Sequence, residues 1–121
     1  MDSSQSIYNY DKAMASDYRV LLGDPSKESQ MFQDIAPARN AEKIRAGVFL
    51  ISGGEDPIVP IEQPRAMERA LKRAGKPVRV LVKPEEGHGF AKLENRVDEF
   101  TQIFEFLDEQ IGAKRKAKAA P

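Results

Sequence analysis

Cysteine is absent from this 121-residue chain, and histidine occurs once, at His88. Without cysteine there is no disulfide framework, no thiolate metal site and no cysteine nucleophile. With a single imidazole, a three-histidine metal site is excluded, and any histidine chemistry belongs to His88. An excess of either charge is also lacking, since 19 basic residues face 19 acidic ones. That balance does not point to nucleic acid or to an anionic membrane surface. The longest apolar run, Val48–Ile51, is far too short to span a bilayer. Met1–Ser6 carries neither the basic nor the apolar region of a signal peptide. The expectation is one globular domain at most, or part of one, working in the cytoplasm without a membrane, nucleic acid or cofactor.

What is present centres on 47–88. Gly47-Val48-Phe49-Leu50-Ile51-Ser52 reads as a buried strand, apolar on both faces like an interior parallel strand. It runs into Gly53-Gly54-Glu55-Asp56-Pro57-Ile58-Val59-Pro60, a turn-rich loop. A helix over Ile61–Ala74 follows, with Met67, Ala70, Leu71 and Ala74 on one face and Gly75 as its left-handed terminator. The second strand, Val78–Lys83, alternates valines with Arg79, Leu81 and Lys83, which suits an edge strand whose charges discourage further pairing. Strand, helix, strand at this length predicts a right-handed parallel βαβ unit. Asp56 and His88 then each lie a few residues past the C-terminal end of a strand, the edge at which open α/β sheets bind ligands.

The flanks read as helical. A helix is predicted over Asp11–Leu22, closed by Gly23-Asp24-Pro25, and another from an N-capping Ser26 to Pro37, with Met31, Phe32 and Ile35 apolar. Ala38–Ile44 reads as a helical turn. The last helix has Asn95 as its expected N-cap and a stripe of Val97, Phe100, Phe104, Leu107 and Ile111, predicted to cover a sheet face. The segment 113–121 is basic and reads as a solvated, disordered tail. Residues 1–46 offer no third strand, yet the first strand reads as interior. The expectation is a C-terminal fragment of a larger α/β domain, with an open sheet edge available for self-association.

Several motifs carry a resemblance to a known family. Ser52-Gly53-Gly54-Glu55-Asp56-Pro57-Ile58-Val59-Pro60 resembles the acid loop of α/β-hydrolases, and Glu86-Gly87-His88-Gly89-Phe90 resembles their histidine loop. Tyr18–Pro25, which ends in Leu22-Gly23-Asp24-Pro25, Ile35-Ala36-Pro37 followed by Ala41–Ile44, Glu62-Gln63, and Glu94-Asn95-Arg96 also match the C-terminal part of the prolyl oligopeptidase family of serine peptidases. The resemblance spans about residues 8–112. It implies the C-terminal part of an α/β-hydrolase catalytic domain, a parallel βαβ unit with flanking helices. It also implies a serine peptidase that cleaves peptide or acyl-peptide bonds through an acyl-serine, with a peptide substrate. On the matching positions, His88 becomes the general base and Asp56 the carboxylate that orients it.

Two departures stand beside this likeness. Ala46-Gly47 occupies a place where the family often has proline, and no Gly-x-Ser-x-Gly nucleophile elbow occurs among the seven serines, Ser3, Ser4, Ser6, Ser16, Ser26, Ser29 and Ser52. The chain is therefore expected to carry the Asp and His of a triad without its serine, and to be inactive by itself. Asp56-Pro57 also suits a simple turn, Glu55 is a minor rival to Asp56, Glu85 and Glu86 read as solvated loop charges, and Phe90 as packing beneath the histidine. Two rival functions share these residues. One is a dienelactone-hydrolase-like or carboxylesterase fragment with the same two loops, and the other is a non-catalytic interaction module that pairs its open sheet edge.

Overall fold

The computed structural model describes residues 15–112, with side-chain surroundings given from Tyr18 onward. Helix α1 spans Ala15–Leu22, so the predicted start at Asp11 and the basic tail lie outside the described residues. Gly23, at φ +97°, ends it as expected. Helix α2 spans Ser29–Ile35 and does not begin at Ser26. The Ser26 N–H and hydroxyl both bond Asp24 Oδ1, at 3.0 and 2.6 Å, which makes Ser26 part of a turn and leaves no cap to donate. A 3-10 segment, Pro37–Lys43, leads to the sheet.

Strand β1 (Val48–Gly53) and strand β2 (Val78–Lys83) pair in parallel with Val48 opposite Val78 and Gly53 opposite Lys83. Helix α3, Glu62–Arg73, joins them. Its end is a Schellman motif: Gly75 sits at φ +68°, Lys76 N–H donates to Leu71 O at 2.9 Å, and Gly75 N–H to Lys72 O at 3.0 Å. The small core forms where α3 meets the 3-10 segment and the strands. Ala41, Ala70 and Leu71 are buried there, with Ile44, Val48, Met67 and Val78 packed around them. Sealing Leu71 from water contributes about 1.5–3 kcal/mol.

The other sheet face meets helix α4, Leu93–Leu107, which runs into a π turn at Asp108–Gly112. Two expectations fail here. Asn95 is not the N-cap; Lys92 holds that place and Asn95 lies buried in the first turn. The apolar stripe does not cover the sheet either: Val97, Phe100, Phe104, Leu107 and Ile111 are all exposed, Phe104 by 67%. The helix instead turns a mixed face inward. Phe106 stacks at 5.4 Å on Phe49, and Arg79 lies 5.7 Å over both rings. Arg79 also pairs with Glu109 at 2.8 Å, and Lys83 with Asp98 at 2.6 Å. Arg79 and Lys83 thus meet acids of α4 and of the turn that follows it, in pairs that stay partly exposed. Among the described residues β1 pairs only with β2, so its other edge carries no strand. No helix among those residues is long and apolar enough to cross a membrane.

Candidate active site

The β1–β2 ladder does not stop at the strand ends. Gly54 N–H donates to Lys83 O at 2.8 Å, Glu55 N–H to Glu86 O at 2.9 Å, and Glu86 N–H back to Lys83 O at 3.2 Å. The first two bonds zip the two following loops together, and the third closes a turn within the second loop. Glycine is required where they touch. A β-carbon on Gly53 would collide with the carbonyl oxygens of Glu86 and Gly87, and one on Gly54 would lie 2.6 Å from Pro84 O. Gly89, at φ +96°, completes the second loop in a backbone region that side chains disfavour.

Asp56 and His88 are brought together by this zipper. His88 Nδ1 lies 2.9 Å from Asp56 Oδ2. The other carboxylate oxygen, Oδ1, accepts the N–H groups of Ile58 at 2.8 Å and Val59 at 2.9 Å. The Asp-Pro turn and the imidazole contact are therefore two uses of one carboxylate. Only 7% of the Asp56 side chain is exposed, against 55% for His88. Burial, the largest single influence on Asp56, pushes its carboxyl up; the Val59 amide, the His88 ring and the Ile58 amide together outweigh it and hold the carboxyl below its ordinary range. A carboxylate only accepts, so Nδ1 carries the proton that points at Asp56, and the lone pair of the neutral ring is at Nε2. The His88 side chain as a whole is more than half exposed and borders the cleft described below.

Glu86 corrects the sequence reading. Glu85 is exposed, although its Oε1 also accepts the Asn95 side-chain amide at 2.9 Å, and Glu86 is 2% exposed and bonded at both carboxylate oxygens. Its Oε2 accepts Ala91 N–H at 2.7 Å, and its Oε1 accepts Lys92 N–H at 3.0 Å and the Asn95 side-chain amide at 2.7 Å. The Asn95 amide and the Ala91 N–H lead the influences that lower its carboxyl below the usual range. Asn95, the expected cap, is thus a partner of the histidine loop. The only hint in the sequence was an acid placed shortly before a helix start, too common a pattern to single it out.

Around the pair lies a cleft of about 540 Å³, mostly apolar, lined among others by Ala36, Pro37, Leu50, Val59, Met67 and Phe90. Phe90 therefore borders the cleft. Ser52 also borders it, but its hydroxyl is turned to the Gly53 carbonyl at 3.2 Å. Among the described residues no three His, Asp or Glu side chains converge as a metal site.

The sequence profile of the prolyl oligopeptidase family matches residues 3–114. The chain belongs to the prolyl oligopeptidase family. Members of this family are serine-type peptidases with an α/β-hydrolase fold, and the βαβ unit described above is a part of that fold. Among relatives, a dipeptidyl peptidase family member 6 from Caenorhabditis elegans is 29% identical over 91% of this chain. The acylamino-acid-releasing enzyme of Homo sapiens is 32% identical over 76% of it. Among solved structures, a puromycin hydrolase mutant complexed with PGG superposes with a TM-score of 0.74 over 82% of the chain at 27% identity. The chain spans 15%, 12% and 15% of the lengths of these three proteins.

Proposed function

We propose that His88 and Asp56 are the base and the orienting acid of a Ser-His-Asp triad in a peptidase of this family. In this reading His88 Nε2 takes the proton of a serine hydroxyl as its oxygen attacks a peptide or acyl-peptide carbonyl. The imidazolium then returns that proton to the departing amine nitrogen, leaving an acyl-serine that water hydrolyses by the same exchange. Asp56 holds the ring in the Nδ1–H tautomer and balances the transient cation. The observation that carries the reading is the 2.9 Å contact of His88 Nδ1 with an Asp56 carboxylate already pinned by two backbone amides. The nucleophile elbow and the amides that bind the oxyanion are assigned to a segment outside these 121 residues. Residues 8–112 are then the C-terminal part of the catalytic domain.

The test is turnover of peptide and p-nitrophenyl ester substrates beside a fluorophosphonate probe. The chain by itself should show no turnover above its His88→Ala variant and no labelled serine. Joined to a family segment bearing the elbow, it should be labelled and active, and the activity should depend on His88. Stoichiometric labelling of a serine within the chain itself, with His88-dependent turnover, would overturn the assignment of the nucleophile. Family membership favours peptide substrates over the dienelactone-type esters of the rival reading. Self-association is proposed beside this function, through the open edge of β1 and the apolar stripe of α4. Light scattering over a concentration series should show mass rising with concentration, and a monomer throughout would exclude it.

A further inference from the structure

We propose that Glu86 is the positioning residue of His88, tying the histidine loop to the first turn of α4 on one side and to the Asp56 loop on the other. This inference rests on the reading of His88 as a base. Glu86 is the buried acid that the triad does not use. Its position two residues before His88 gives it leverage, and its bonds reach in both directions. The carboxylate collects three donors from Ala91, Lys92 and Asn95, two of them backbone amides just ahead of α4 and the third in its first turn. Its backbone carbonyl accepts Glu55 N–H, the residue next to Asp56. The same carbonyl packs on Gly53, where no side chain would fit. His88 itself is more than half exposed, and among the described residues the side-chain bond that places its ring is to Asp56. A loop carrying two glycines around an exposed ring needs an external anchor to hold that bond, and Glu86 supplies it.

Glutamine is the informative replacement. It nearly matches the shape but turns one accepting oxygen into an N–H₂ that faces N–H donors, so the anchor loses bonds without leaving a cavity. The readout is the imidazole itself, and the single histidine makes its ¹⁵N–¹H spectrum unambiguous. At a pH where the ring is neutral, the wild-type chain should show one protonated and one bare nitrogen, the Nδ1–H tautomer. In Glu86→Gln the two nitrogen signals should move toward a common averaged position while the β1–β2 amide resonances persist. Asn95→Ala, which removes one donor and leaves two, should move them the same way by less, and it decides the matter if Glu86→Gln does not fold. Leu71→Ala, a destabilising change in the core away from the loop, should leave the tautomer as in wild type. In the assembled enzyme Glu86→Gln should lower kcat by roughly a hundredfold with KM unchanged. A tautomer that is fixed in wild type, lost in Asp56→Asn and untouched by both Glu86→Gln and Asn95→Ala would overturn the role of Glu86 alone. A wild-type ring already averaged and indifferent to Asp56→Asn would overturn the triad reading beneath it.

Discussion

The two loops that follow β1 and β2 hold their residues by opposite means. The first loop fixes its acid locally: Asp56 bonds the amides two and three residues ahead of it, and its side chain lies almost fully covered. The second loop carries an exposed His88 and draws its rigidity from elsewhere, through the buried carboxylate of Glu86 and the first turn of α4. Asp56 is built into its own turn. His88, the base in the proposed reading, is left open, and its backbone is fastened one step away. A carboxylate can be covered because its partners are nearby amides, whereas a general base that is covered cannot reach a substrate.

Replacing the two residues in an assembled enzyme tests this contrast most strongly. His88→Ala should lower kcat by about a millionfold, and Asp56→Asn by about ten-thousandfold, because the asparagine still orients a ring that now takes the wrong tautomer. Equal losses would break the distinction between the open base and the covered acid. The helix between the loops supplies the next effect. Leu71→Ala should destabilise the chain by about 2–5 kcal/mol in denaturant unfolding without altering the His88–Asp56 bond. A matching loss of that bond would mean that the loops depend on the core and not on their own anchors.

Where the loops touch, Gly53→Ala should cost roughly 1–3 kcal/mol by overpacking against the Glu86 and Gly87 carbonyls. It should also weaken the tautomer preference of His88, because the two loops are pushed apart. A neutral result in both measurements would show that their close approach is dispensable. The smallest effect concerns pH. The folded Asp56 carboxyl titrates below its unfolded value, so the unfolded chain binds the proton more readily. Its contribution to stability is therefore full above the unfolded pKa and is lost as pH falls through that value to the folded one. Asp56→Asn should flatten the acid limb of the stability profile and leave the neutral region nearly unchanged in slope.

The path from sequence to site was short for the Asp56–His88 pair because its determinants are local. An apolar run, an amphipathic helix closed by Gly75 and an alternating run set a parallel βαβ unit, and the loops after its strands had to emerge at one edge. That placed the two loops together, and the family motifs singled out Asp56 and His88, whose side chains meet. Ser26 and Asn95 were less so, since a polar residue near a helix start can cap the helix or bond a neighbour, and only the partners decide.

By itself, then, the sequence determined the βαβ order, the glycine-lined loops, and the pairing of one acid with the only histidine. Tertiary structure alone decided which face of α4 meets the sheet and what becomes of Glu86. Helical periodicity tells which side chains share a face but not which neighbour that face will find. Here Phe106 packs against Phe49, while Asp98 and the exposed Glu109 reach Lys83 and Arg79 at the rim, and the apolar stripe stays outside. A loop glutamate is usually solvated, and this one is buried where the Ala91 and Lys92 amides just ahead of α4 donate to it. Burying a charge depends on donors gathered from another element, and that gathering happens only when the chain is folded.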